Sequence, residues 1–258
     1  MEKAVDRRLR RLQKLEARAS LRYEAENAPF SAVRERIPDG LREQLERSFR
    51  AGFRLVFEKG DGLIKKTYDA NLLRREYAAH ERELRERVTG NRLRRLRARA
   101  QAAVRGGMGL ALAEGAALGV LGIGLPDIPL FLGGLLRGLY RIALSFGYDC
   151  RGEGERCYLM LLVAASLSRG EERVRFSELA EQTARALDAG SDRAAALAGC
   201  IDAAAGCLAA ELLTAKFVQG LPLVGVAGGL QNAPVYRRVT AYAARSYERR
   251  RLLGIDCE

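Results

Sequence analysis

Side chains that could perform acid–base or nucleophilic chemistry are few in this sequence. The only histidine is His80, which has charged neighbours and is most simply a surface residue, so a catalytic triad built on imidazole is hard to assemble. Two carboxylates stand out instead: Asp127 lies between two prolines, and Asp149 ends a Gly-Tyr-Asp triplet. They could serve a hydrolase or a lipid-handling enzyme, or they could cap helices. We favour the capping role, and with it a protein without enzymatic activity.

The cysteines do not form a metal-binding motif. Neither a Cys-x-x-Cys nor a His-Glu-x-x-His spacing occurs, so we predict no metal and no cofactor. Cys150 and Cys157 are seven residues apart, as are Cys200 and Cys207. Seven residues of helix span about 10.5 Å, which is too long for a disulfide within one helix. We therefore expect these cysteines to be small buried side chains in a reducing compartment.

The positive charge of the chain is concentrated in its first 99 residues. The 258 residues include 44 lysines and arginines against 32 aspartates and glutamates, for a net charge of +12. Residues 1–99 hold 27 of these basic residues and 16 of the acidic ones, a net charge of +11, whereas residues 100–258 carry only +1. This asymmetry predicts a basic amphipathic helical subdomain at 1–99 and a nearly neutral helical domain at 100–258.

The densest basic run gives five candidates for binding an anionic surface, namely Arg92, Arg94, Arg95, Arg97 and Arg99. It leads directly into the most apolar segment of the chain, and basic residues in that position gain about 1 kcal/mol each at an anionic leaflet. A solvated helix face would need no partner at all. Nucleic acid is the least favoured partner, because no helix-turn-helix, zinc finger or aromatic RNA-binding pair accompanies the run.

Apolar residues recur every three or four positions and show no sustained alternation, which predicts an all-α bundle of about eight helices. One apolar stripe runs from Val5 to Tyr23 and stops at Asn27, and a second runs from Leu41 to Phe57. Further helices are expected at about 64–87, 155–168, 176–189, 192–217 and 233–253.

A Gly-rich apolar stretch between residues 106 and 136 predicts a central helical hairpin, whose second arm runs from Pro129 to about Phe146. Such a hairpin could be the core of a soluble bundle or could dip into a membrane. Neither arm offers the ~20 uninterrupted apolar residues of a spanning helix, so we favour the core.

Residues near this hairpin and at the later Gly-rich break could form a ligand or partner surface. If Arg137 is buried on its apolar helix, it needs an acidic partner such as Glu114, Asp127 or Asp149. The candidates for this surface are Pro126, Asp127, Pro129, Arg137, Tyr148, Asp149 and Asn232.

The stretch GLPDIPLFLGGLLRGLYRIALSFGYD, from Gly124 to Asp149, resembles the EcsC family of bacterial proteins. The segment from Phe217 to Asn232, with the basic helix after it, is similar to the family's ending. The resemblance covers roughly residues 100–252 and matches the N-terminal third only loosely. It implies proximity to an ABC transporter, because the founding member is encoded beside the subunits of an ABC exporter, but it implies no reaction.

No apolar signal segment occurs within the first thirty residues, which predicts a cytoplasmic protein. We therefore expect a non-enzymatic accessory protein at the cytoplasmic face of the inner membrane, with an anionic membrane surface and an ABC transporter as partners. The alternatives are a hydrolase or lipid-handling enzyme that uses Asp127 and Asp149, and a weak nucleic-acid binder. The sequence leaves the oligomeric state open.

Overall fold

The computed structural model describes residues 2–60, 62, 64, 68–86, 89–92, 94, 95, 97, 98, 100, 102, 127–191, 196–219 and 233–256. These residues contain no strand, so the predicted all-α class is confirmed. Their nine α-helices are α1 (Glu2–Asn27), α2 (Ser31–Glu35), α3 (Asp39–Leu55), α4 (Ala70–Glu86), α5 (Asp127–Ser145), α6 (Glu153–Leu167), α7 (Gly170–Asp188), α8 (Leu197–Gln219) and α9 (Ala233–Asp256). Described residues between 90 and 102 are also helical, and we call them the basic helical segment.

The predicted apolar stripes of the N-terminal third are the faces by which its helices join the core. Val5 and Leu12 of α1 are fully buried, and α1 packs on α9. Phe49 and Phe53 of α3 are also fully buried, and α3 packs on α5 and α8. Residues on both sides of the predicted boundary at residue 99 therefore share one hydrophobic core, and the boundary marks a change of charge.

Helix α6 is the most enclosed of the described helices. It is buried over almost its whole length, and it packs against α7, α8 and α9. A helix that is apolar on all sides needs such surroundings. The second arm of the predicted hairpin is α5, which is also largely buried, whereas the first arm at 106–121 lies outside the described residues.

Within the described part of the chain, one helical stretch is long and apolar enough to cross a membrane, Leu197–Val218 in α8. Half of this stretch is buried inside the structure, where α8 packs on α6 and α3. Core helices of soluble proteins have the same length and composition, so the stretch is weak support for a membrane span.

Two cysteines contradict the expectation that all of them are independent and reduced. Cys157 of α6 and Cys200 of α8 form a disulfide, with their Cα atoms 5.4 Å apart. The seven-residue spacing excluded a bridge within one helix, but it carried no information on bridges between neighbouring helices. Cys150 is buried, and Cys207 lies beside Ser168, which hydrogen-bonds to its thiol. Burial nevertheless raises the pKa of Cys207 to about 11.

Candidate functional site

Two of the predicted arginines meet the N-terminal helix in a shallow groove of about 200 Å³. Arg94 and Arg97 of the basic helical segment lie there beside three arginines of α1. We call this surface the arginine groove, and its lining residues are Ala4, Arg7, Arg8, Arg11, Gly90, Arg94 and Arg97. None of the lining residues is acidic. Five guanidinium groups that converge on a lining without acidic residues make a surface for anions, although one of them, that of Arg8, also contacts Glu248 of α9.

The positions on α1 explain why three further arginines face the groove. Arg7 and Arg11 are four residues apart, so they share one side of the helix, and both are exposed. Arg8 lies between this side and the core, where its Nε is 2.6 Å from the Glu248 carboxylate of α9. None of these three residues was predicted from the sequence, although the i, i+4 spacing of Arg7 and Arg11 opposite the apolar stripe was a visible signal.

Only some of the five predicted arginines line the groove. Arg94 and Arg97 line it, while the half-buried Arg92 and the exposed Arg95 lie outside its lining. Arg99 lies outside the described residues. The guanidinium of Arg94 donates to the Asn91 side chain, which holds it on the helix surface.

A second concave region begins at the turn that ends α5. The amide of Gly147 donates to the carbonyl of Leu144, and the amide of Tyr148 donates to the carbonyl of Ala143, which is the Schellman arrangement of a helix end. Gly147 has a φ of +88°, and the ring of Tyr77 occupies the space that a Cβ atom would need. Helix α5 therefore ends close to the predicted end at Phe146, and glycine is required in the turn.

Behind this turn lies a cavity of about 790 Å³, which we call the tyrosine cavity. Helices α1, α4, α6, α7 and α9 form its walls together with the turn. Its lining residues are Leu9, Gln13, Tyr77, Phe146, Gly147, Tyr148, Tyr158, Glu181, Ala184, Arg185, Asp188, Ala189, Ser246, Arg249, Arg250, Arg251, Leu253 and Gly254. Burial raises the pKa of Tyr148 to about 12, so its phenol is neutral near neutral pH.

Three consecutive arginines of α9, the arginine triplet Arg249–Arg251, lie at this cavity. Arg250 is the most buried, with hydrogen bonds to Asp188 at 2.8–3.0 Å and to Glu155 at 2.9 and 3.0 Å. Burial opposes its charge, but the hydrogen bonds to Asp188 and the charge of Glu155 together raise the pKa of Arg250 above its usual value.

The other two members of the triplet are paired as well. Arg249 reaches Glu181 at 2.6 Å, and Arg251 binds Glu81 of α4. The guanidinium of Arg250 also stacks on the ring of Tyr148, 4.1 Å from its centroid. Arg249 also contacts Glu16 of α1 at 3.5 Å, so the triplet connects α9 to α1, α4, α6 and α7.

The predicted ligand surface does not form one site. Tyr148 lines the tyrosine cavity, but Asp149 faces Arg74 at 2.8 Å and Arg151 at 2.9 Å. Asp127 is the first residue of α5, and α5 alone is about 27 Å long. Asp127 and Asp149 thus lie at opposite ends of a helix and cannot act together on one bond of a substrate.

Two more candidates of that surface are buried in α5. Pro129 lies near its start, and Arg137, in its middle, is 6% exposed. Burial lowers the pKa of Arg141 one turn later, and the charge of Arg137 lowers it further. Asp149 has its own arginine partners, so Glu114 and Asp127 stay as the predicted partners of Arg137, and the side chains of both lie outside the described part of the structure. Pro126 and Asn232 also lie outside the described residues.

Comparison with known proteins gives one match. The model of the EcsC protein family matches residues 2–252, which is nearly the whole chain. The match extends the expected resemblance through the N-terminal third, including α1 and the basic helical segment. No curated protein and no solved structure matches the chain. The chain belongs to the EcsC protein family.

Proposed function

We propose that this member of the EcsC protein family is a non-enzymatic accessory protein that associates peripherally with an anionic membrane surface. The arginine groove carries this proposal, because it joins arginines from two distant parts of the sequence with no acidic residue in its lining. Arg8 is partly neutralised by Glu248, so Arg7, Arg11, Arg94 and Arg97 supply most of the attraction.

The size of this attraction is sufficient for reversible association. Each basic residue near an anionic leaflet contributes about 1 kcal/mol, so four of them contribute about 4 kcal/mol. Exposed guanidinium groups also bind phosphate oxygens in pairs, which lysine does not do. An interaction of this strength weakens with salt, because surface charges are screened.

The location and the partner follow from the family resemblance. We place the protein at the cytoplasmic face of the inner membrane, beside an ABC transporter. The support for both is the genetic neighbourhood of the founding family member, which is encoded beside the subunits of an ABC exporter.

Co-sedimentation with lipid vesicles tests the proposal. Vesicles of phosphatidylglycerol and of phosphatidylcholine are compared at low and high salt, with the wild-type chain and a variant that carries Arg7→Gln, Arg11→Gln, Arg94→Gln and Arg97→Gln. We expect the wild type to sediment only with phosphatidylglycerol at low salt, and the variant to stay in solution.

Two outcomes would count against an anionic membrane surface as the partner. Equal recovery with both lipids would contradict an anionic surface as the partner. Binding to phosphatidylglycerol that a short DNA duplex displaces at equimolar phosphate would favour the weak nucleic-acid binder instead. A circular dichroism spectrum that matches the wild type shows that the variant is folded.

A further inference from the structure

The tyrosine cavity is a second concave site, distinct from the arginine groove. Its volume of about 790 Å³ falls within the range of about 300–1,000 Å³ that small-molecule sites occupy. The two sites use different residues of α1, since Leu9 and Gln13 line the cavity while Arg7, Arg8 and Arg11 line the groove.

The acidic groups of the cavity wall are already occupied. Glu181 accepts from Arg249 at 2.6 Å and from Arg185 at 3.5 Å. Both oxygens of Asp188 accept from Arg250. These carboxylates are therefore poor partners for a cationic ligand, because each would have to give up an arginine first.

Two hydrogen-bond donors at the wall have no partner, and a third has only a long contact. The Nε of Arg251 and the Oγ of Ser246 are buried and have no hydrogen-bond partner. Ser246 is only 3% exposed, so solvent does not readily satisfy its hydroxyl. The side chain of Arg185 is 77% exposed, and its one carboxylate contact is long at 3.5 Å. Buried donors without partners are costly, and a ligand that accepts from them would remove that cost.

The remaining wall is largely apolar. Phe146 and Ala184 are buried behind the cavity, and Leu253 is half-exposed beside it. A ligand that satisfies both parts of the wall has an oxyanion at one end and an apolar body at the other. We propose that the tyrosine cavity binds an amphipathic oxyanion, with its carboxylate or phosphate at Ser246, Arg251 and Arg185 and its apolar body against Phe146 and Leu253.

Isothermal titration of the full chain with four probes tests this assignment. Octanoate and octyl phosphate carry the two oxyanions, octyltrimethylammonium carries the opposite charge on the same tail, and inorganic phosphate lacks the tail. All are used below their micelle-forming concentrations. We expect octanoate, octyl phosphate or both to bind at one site per chain, and the cation and inorganic phosphate to bind at least tenfold more weakly.

Variants locate the binding in the cavity. Arg185→Gln removes an exposed arginine, and Ser246→Ala removes a hydroxyl that has no partner, so both should fold normally. Each should weaken the anion that binds by about tenfold, the effect of one hydrogen bond to a charged group. Arg22→Gln is the matched control, because Arg22 is 81% exposed, is paired with a glutamate four residues away and lies outside the cavity.

Three results would overturn the assignment. The first is no binding of either amphipathic anion to the wild type, and the second is equal binding of the anions and the cation. The third is binding that both cavity variants leave unchanged but that Arg94→Gln with Arg97→Gln abolishes, which would assign the anion to the arginine groove. Failure of vesicle association would leave the cavity result unaffected, since the two sites share no residue.

Discussion

The arginines of the groove and the arginine triplet of α9 lie in opposite surroundings. Arg250 of the triplet is 6% exposed at its side chain and contacts two carboxylates. The exposed Arg94 donates to a neutral asparagine, and no carboxylate lines its groove. Buried guanidinium groups need carboxylate partners, because an unpaired buried charge is costly, whereas exposed ones do not.

This difference assigns the two groups different tasks. The triplet connects α9 to four other helices, because each of its arginines pairs with a carboxylate of the protein. The groove arginines other than Arg8 could instead attract an anion outside the protein. A run of arginines in sequence thus indicates binding only where folding brings no carboxylates to it.

The largest effect is expected when the centre of the triplet is removed. Arg250→Gln leaves Glu155 and Asp188 without their main partner, and breaking a buried ion pair from one side costs about 3–5 kcal/mol. The free energy of unfolding from urea titration measures this loss. A loss below 1 kcal/mol would show that the triplet is not the structural element that its burial indicates.

Arg8 combines the two environments, because it lies in the groove but is paired with a carboxylate as the triplet arginines are. It lines the groove and also binds the buried Glu248 of α9 at 2.6 and 2.7 Å. We expect Arg8→Gln to cost about 2 kcal/mol of unfolding free energy, since the Glu248 carboxylate loses a charged hydrogen-bond partner. Vesicle binding should fall less than for Arg94→Gln, and a larger fall would mean that Glu248 does not neutralise Arg8.

A substitution at Gly147 tests whether the turn beside the tyrosine cavity tolerates a side chain. Gly147→Ala combines a left-handed backbone, which costs about 1–2 kcal/mol, with displacement of the Tyr77 ring. Gly190→Ala is the control, because its φ is +72° but its Cβ would meet open space. Thermal unfolding should show a larger loss for Gly147→Ala, and equal losses would exclude a role for Tyr77.

The smallest of these effects on stability is a dependence on alkaline pH. The pKa of Tyr148 is raised to about 12 by burial, so the folded state holds the phenol proton more tightly than the unfolded state does. Stability should therefore fall as the pH rises from about 10 to about 12. At about pH 11, the free energy of unfolding should have fallen by about 1 kcal/mol less in Tyr148→Phe than in the wild type, as measured by urea unfolding. Equal falls in both proteins would show that the phenol is not buried in solution.

Local patterns predicted the helices well. Val5, Leu12 and Phe49 are all fully buried on the stripes that the periodicity indicated. The short helix α2 was missed because five residues between two prolines show no period. The end of the second hairpin arm near Phe146 was also predicted, and the glycine that follows it is a local signal of a helix end.

Features that depend on distant residues were not predictable. The disulfide between Cys157 and Cys200 requires knowing that α6 and α8 are neighbours. The groove brings Arg7 next to Arg94, and Arg251 of the triplet contacts Glu81 of α4. Both pairs of residues are far apart in the sequence. Charge and spacing identify candidates, but only packing decides which carboxylate each arginine meets.

The most direct test of the groove compares two variants of equal net charge. One carries Arg94→Gln and Arg97→Gln, and the other carries Arg36→Gln and Arg54→Gln, two exposed arginines outside the groove. Surface changes of this kind alter stability by no more than about 0.5 kcal/mol, so both variants should fold. The affinity for phosphatidylglycerol vesicles at low salt is then measured for each.

We predict that the groove variant binds about 30-fold more weakly than the wild type, because two charges of about 1 kcal/mol each are lost. The control variant should bind within about threefold of the wild type, since its charges lie away from the contact surface. Equal weakening of both variants would show that net charge, and not the arginine groove, attracts the membrane, and would contradict the proposed function.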